Sequence, residues 1–140
     1  MSTRQTTTDK PTARREPEPH AIEIEVEARF VPDQSKPEAN RYAFAYEVTL
    51  RNLGMVPARL HTRHWVITDA NGKVEEVRGP GVVGEQPRLQ PGEQYSYSSG
   101  TLLETQVGTM RGEFLFHADD GTDFEAPIPE FVLSVPRTLH

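Results

Sequence analysis

The sequence predicts an all-β fold, an antiparallel β-sandwich of about seven to eight strands, on three observations. Apolar residues recur with a period of two in several runs, turn-forming clusters separate those runs, and no stretch sustains a helical period over roughly ten residues. A chain of 140 residues with 35 % hydrophobic side chains is sufficient for one domain with a core of its own.

The chain divides near His20. Residues 1–20, with Thr6-Thr7-Thr8-Asp9-Lys10-Pro11 and Arg14-Arg15-Glu16-Pro17-Glu18-Pro19, are polar and punctuated by proline. They hold too few apolar groups to offset the entropy of ordering, so a disordered tail is expected before a domain at 21–140. In the first strand Ile22, Ile24, Val26, Ala28 and Phe30 alternate with Glu23, Glu25, Glu27 and Arg29, placing one set on the core and the other in water. Tyr42, Phe44, Tyr46, Val48 and Leu50 repeat the pattern, as do Met110, Gly112, Phe114 and Phe116. Between them stand the turn signals Val31-Pro32-Asp33, Asn52-Leu53-Gly54, Asp69-Ala70-Asn71-Gly72, Pro91-Gly92 and Asp119-Asp120-Gly121. Leu60 and Trp65 fall on opposite phases of the run 58–69, which predicts a bulge there. Trp65, the single tryptophan, is expected between the sheets. The stretch Leu89-Gln90-Pro91-Gly92-Glu93-Gln94-Tyr95 looks like the turn-then-tyrosine corner of immunoglobulin and fibronectin type III-like sandwiches, where a tyrosine hydroxyl ties a crossing to backbone.

Composition limits the functional classes. There is no cysteine, hence no disulfide framework, thiolate nucleophile or thiolate zinc site. No apolar run approaches the roughly 20 residues of a membrane helix, and residues 1–20 hold no secretory apolar core, so a cytoplasmic protein without a membrane role is expected. Of 15 basic and 21 acidic side chains, four and three lie in residues 1–20, which leaves 11 against 18 for the domain. So acidic a domain repels phosphate backbones, and general nucleic-acid binding is disfavoured.

The segment Gly79-Pro80-Gly81-Val82-Val83-Gly84 matches G-x-G-x-x-G, the spacing that cradles pyrophosphate when its last glycine opens a helix. Here Glu85-Gln86-Pro87-Arg88-Leu89-Gln90-Pro91-Gly92 follows, and its prolines forbid that helix. Two readings remain. One is a structural loop whose glycines supply positive φ angles; the other is an anion nest of backbone amides at Gly79, Gly81 and Gly84, assisted by Arg78 or Arg88 and taking a phosphorylated small molecule. The acids Glu75, Glu76 and Glu85, and the lack of a P-loop lysine, favour the first.

Other candidates are weaker. His61 and His64 would point to opposite faces of a strand unless a bulge intervenes, and no metal site is assigned to them. His117, Asp119 and Asp120 have ligand-type side chains, yet Asp119-Asp120-Gly121-Thr122 is ordinary hairpin chemistry. Ser96, Ser98 and Ser99 lack a nucleophile-elbow pattern, and Glu23, Glu25 and Glu27 alternate as a solvated face. No cofactor and no enzymatic activity are expected.

The residues also carry a resemblance. Arg63-His64-Trp65-Val66-Ile67-Thr68-Asp69, Val82-Val83-Gly84-Glu85-Gln86-Pro87, Leu89-Gln90-Pro91-Gly92-Glu93, Gly108-Thr109-Met110-Arg111-Gly112, Pro127-Ile128-Pro129-Glu130-Phe131 and Val135-Pro136-Arg137-Thr138-Leu139-His140 resemble the bacterial ApaG family over nearly all of the chain from Ala21. The resemblance implies a fibronectin type III-like sandwich. It implies no catalytic residues, since none is established for the family, and it places the family's glycine motif at Gly79, Gly81 and Gly84. Bacterial members are linked genetically to diadenosine tetraphosphate metabolism, cobalt resistance and magnesium transport. Similar domains fused to F-box proteins, or found in a protein that interacts with DNA polymerase delta, imply a protein-binding module with a protein partner still to be identified.

Overall fold

The computed structural model describes residues 18–137 and is all-β. Among them eight strands follow in order: β1 (Ile22–Phe30), β2 (Tyr42–Asn52), β3 (Ala58–Asp69), β4 (Val74–Pro80), β5 (Arg88–Leu89), β6 (Gln94–Leu103), β7 (Val107–Ala118) and β8 (Asp123–Ser134). Two single-turn 3-10 segments, Pro32–Gln34 and Pro37–Ala39, join β1 to β2. One sheet runs β1-β2-β6, and the other runs β4-β3-β7-β8 with β5 also on β3. All pairings between strands are antiparallel.

The two-residue period places the core as expected. Tyr42, Phe44, Tyr46, Val48 and Leu50 of β2 are buried, and Met110, Phe114 and Phe116 of β7 answer them. Trp65 is 3 % exposed and meets Tyr46, Phe114 and Phe131 at centroid distances of 5.4, 6.1 and 6.0 Å. Its edge-on approach to the two phenylalanines suits the ring quadrupoles. Only Ala28 of the expected β1 face is exposed.

The bulge predicted in β3 is present. Leu60 faces Phe116 while Thr62 faces Leu115, so His61 is the extra residue and the phase switches from Leu60 to Trp65. A second irregularity lies in β8, where Phe131 faces Met110 but Ile128 faces Gly112. Since β8 is an edge of its sheet, Pro127 and Pro129 withdraw no donor from an inner ladder. On this side β1 and β8 approach each other and close the sandwich.

The tyrosine corner is not formed. Among the described residues the Tyr95 hydroxyl has no hydrogen-bond partner; the crossing is tied instead by Asn52, which is fully buried. Asn52 Nδ2 donates to Val56 O at 3.1 Å and Leu89 O at 3.0 Å, and its Oδ1 accepts from Gly54 N at 2.8 Å. Leu89 lies in β5 and Asn52 in β2, so this amide joins the two sheets. Residues 1–17 of the expected tail lie outside the described residues. Pro19 and His20 sit on the domain: Pro19 O accepts from Met55 N at 3.0 Å, and His20 stands 5.2 Å from the Phe124 ring.

Candidate functional site

The glycine segment is a strap over the β3 bulge. Strand β4 pairs with β3 along Thr62–Thr68 and β5 with Ala58 and Arg59, so the two are parts of one edge interrupted where His61 is inserted. Gly79 and Pro80 finish β4. Gly81 N then donates to His61 O at 2.9 Å, and Val82 and Glu85 exchange backbone hydrogen bonds of 2.8 and 2.9 Å. Val83 and Gly84 form the tip with φ of 47° and 79°, the positive values that a type I′ two-residue turn requires at both central positions. Gly81 has φ of 61°, and a Cβ there would lie 2.3 Å from Glu85 O, so only glycine fits. Val82 is fully buried and anchors the strap to the core. Arg63 Nη1 donates to Pro80 O at 2.9 Å and Gly81 O at 3.0 Å from below, while Gln86 Nε2 donates to His61 O at 2.9 Å.

The amides of Gly81, Val82 and Glu85 are thus taken up by protein carbonyls. From sequence Val82 belongs to this segment but its burial is not evident, and Arg63 is not connected with the segment. The signal for Val82 was weak, because a valine between turn glycines reads as loop.

Beside the strap the outer face of the larger sheet carries a shallow cavity of about 500 Å³. Arg78 and Gly79 line it with Thr62, His64, Glu113 and Glu125. Gly81, Gly84 and Arg88 are not part of its lining. Arg88 turns to Asp119, with Nε donating to Oδ1 at 3.2 Å and Nη2 to Oδ2. The hydrogen bond from Arg88, then its charge, hold the Asp119 carboxyl below its usual range. Arg78 is 69 % exposed and reaches Glu76 at 3.3 Å.

His64 is the best-held polar side chain of this face. Register brings Arg78 and Glu113 directly beside it on β4 and β7. Its Nε2–H donates to Glu76 Oε1 at 2.8 Å and its Nδ1–H to Glu113 Oε2 at 2.6 Å. Ionised carboxylates only accept, so both contacts are hydrogen bonds together only when the ring carries both protons, which favours the imidazolium form. The bonds to Glu76 and then Glu113 raise the His64 pKa above 6.5, and the bond from His64 lowers that of Glu76. In the imidazolium form the ring offers no lone pair to a metal or to a substrate proton. His61, on the bulge, is exposed. His117 pairs with Asp123, and Asp120 with His20. Among the described residues no three such side chains converge as metal ligands.

Comparison with known proteins places this arrangement. The family model DUF525, ApaG domain, matches residues 32–118. The chain belongs to the ApaG domain family. It is 61 % identical over 125 residues to Protein ApaG of Aromatoleum aromaticum, covering 89 % of this chain and 98 % of that one. It is 62 % identical over 121 residues to Protein ApaG of Xanthomonas campestris pv. campestris, covering 86 % and 95 %. The crystal structure of a protein named ApaA from Bordetella pertussis superposes with a TM-score of 0.85 at 48 % identity, over 88 % of this chain and all of that one.

The ApaG-like motifs fall on the elements that build the strap and its support. Arg63–Asp69 is the part of β3 after the bulge, Val82–Pro87 is the hairpin, and Gly108–Gly112 lies on β7 against β3. Pro127–Phe131 spans the irregular pairing of β8. No helix among the described residues is long and apolar enough to cross a membrane.

Proposed function

We propose that this ApaG-family chain is a non-enzymatic protein-interaction domain working in the cytoplasm. The observation that carries the reading is the state of the glycine hairpin: three of its amides are bonded within the protein, and Arg88 is paired with Asp119. A segment so occupied serves the shape of the sandwich and leaves its sheet surfaces and edges for a partner. The family's genetic links to diadenosine tetraphosphate and to cobalt and magnesium then act through such a partner.

The competing reading, a sensor of a phosphorylated small molecule, draws on exposed Arg78 beside the cavity. Isothermal titration with ATP, GTP and a dinucleoside polyphosphate at physiological salt separates the two. No saturable heat is expected. Micromolar binding that Arg78→Ala weakens by about 1.5–3 kcal/mol, the value of a charged hydrogen bond, would reverse the assignment.

A further inference from the structure

Taking the interaction reading as given, we propose that the free edge of β6 is the docking site, and that its occupant is an extended segment of a partner protein with basic and apolar residues in alternation. Among the described residues β6 borders the smaller sheet and pairs only with β2. Val31 N donates to Ala43 O and Asn52 N to Glu93 O, so odd residues of β2 turn their backbone groups to β1 and even ones to β6. It follows that Tyr95, Tyr97, Ser99, Thr101 and Leu103 bond to β2. Gln94, Ser96, Ser98, Gly100 and Leu102 direct their N–H and C=O groups outward, and all five are exposed.

The other border strands carry devices against pairing. β4 holds Glu75, Glu76, Arg78 and Pro80; β8 holds Pro127 and Pro129; β1 has four charged residues and lies against β8. Such features are how edges are kept from recruiting another chain. The ten residues of β6, Gln94–Leu103, contain no charge and no proline. The position also suits an added strand. Three strands face four, with the β1 and β8 side closed, so a fourth strand beyond β6 would lie over β4, where Val77 is half-buried.

Charge decides the occupant. On the outer face of the smaller sheet Glu25, Glu27 and Glu47 are exposed and have no cationic partner among the described residues. Glu47 stands directly across from Ser98, and strands are spaced by about 4.8 Å, so a lysine or arginine opposite Ser98 on the added strand reaches Glu47 over the small serine. Residues of the added strand facing inward must be apolar to cover Val77. A second copy fits poorly, because β6 paired with itself would make the two acidic faces continuous, each in a chain of net charge −6.

The test uses the full chain and a blocked decapeptide of alternating lysine and valine, with a block-ordered peptide of the same composition as control. Titration followed by amide NMR should show saturable shifts and exchange protection at Gln94, Ser96, Ser98, Gly100 and Leu102, with the control at least about tenfold weaker because it cannot present one apolar face. Ser98→Pro removes an outward donor without touching the β2 ladder, and Ser98→Lys adds a like charge. Each should weaken binding about tenfold or more, and Ser98→Lys keeps the result readable if the proline variant does not fold. Equal binding of both peptides, unchanged binding by the two variants, or a concentration-dependent dimer joined through β6 would overturn the proposal. A partner captured equally by wild type and Ser98→Lys would overturn the edge while leaving the interaction reading standing.

Discussion

At the scale of single residues, each polar side chain that matters here gathers several partners, at least one of them far along the chain. Asn52 collects groups from Gly54, Val56 and Leu89; His64 collects carboxylates from Glu76 and Glu113. The two differ in their response to pH. Asn52 does not titrate, whereas the His64 pKa is raised in the fold above 6.5. A group whose folded pKa is raised stabilises fully below its unfolded pKa, and that contribution disappears as pH climbs through the folded value. Glu76, with a lowered pKa, contributes above its ordinary value of 4.5 and loses its contribution as pH falls through the folded one. The pair is therefore strongest between these limits and fails first on the alkaline side of 6.5. Urea unfolding of wild type and His64→Gln from about pH 5.5 to 8.5 should show a stability gap that narrows as pH rises. A gap that widens with pH would show that the neutral ring is the form held in the fold.

At the scale of elements, β2 and β7 were readable because each has one wet face and one dry face, and a period of two records that difference directly. The β3 bulge was readable for the same reason: Leu60 and Trp65 both had to reach the core. The strap was readable only in part. Gly81 and Gly84 announced positive φ, whereas Gly79 lies in β4 without it, and the segment's bonding partners, His61 and Arg63, lie about twenty residues away and arrive only through strand pairing. The His64 cluster was hidden similarly, since the β3 register with β4 and β7 brings the carboxylates in. Within the strap, Val83 carries φ of 47° and is 62 % exposed. A β-branched residue is strained in that region, while asparagine tolerates it. Val83→Asn should stabilise by about 1 kcal/mol, read from the denaturation midpoint at unchanged slope. Loss of stability would mean that the valine side chain makes a contact outweighing its backbone strain.

At the scale of the whole molecule, the question is where the domain begins. The composition of residues 1–20 argues for a tail throughout, but Pro19 O accepts from Met55 N at 3.0 Å and Val56 N at 3.2 Å, and His20 Nε2 meets Asp120 Oδ2 at 2.8 Å. A chain starting at Pro19 should therefore unfold like the full chain, and one starting at Ala21 should lose about 2 kcal/mol, the net value of two backbone hydrogen bonds and their packing. Gly54 supplies an internal control. A Cβ there would stand 2.4 Å from Pro19 O, so Gly54→Ala should be costly in the full chain and cheaper in the chain starting at Ala21, where the clashing carbonyl is gone. Non-additivity of this kind marks direct contact. Thermal and urea unfolding of the four proteins gives the coupling. An additive result would mean that Pro19 does not dock on Gly54 in solution, and the domain would then begin at Ala21.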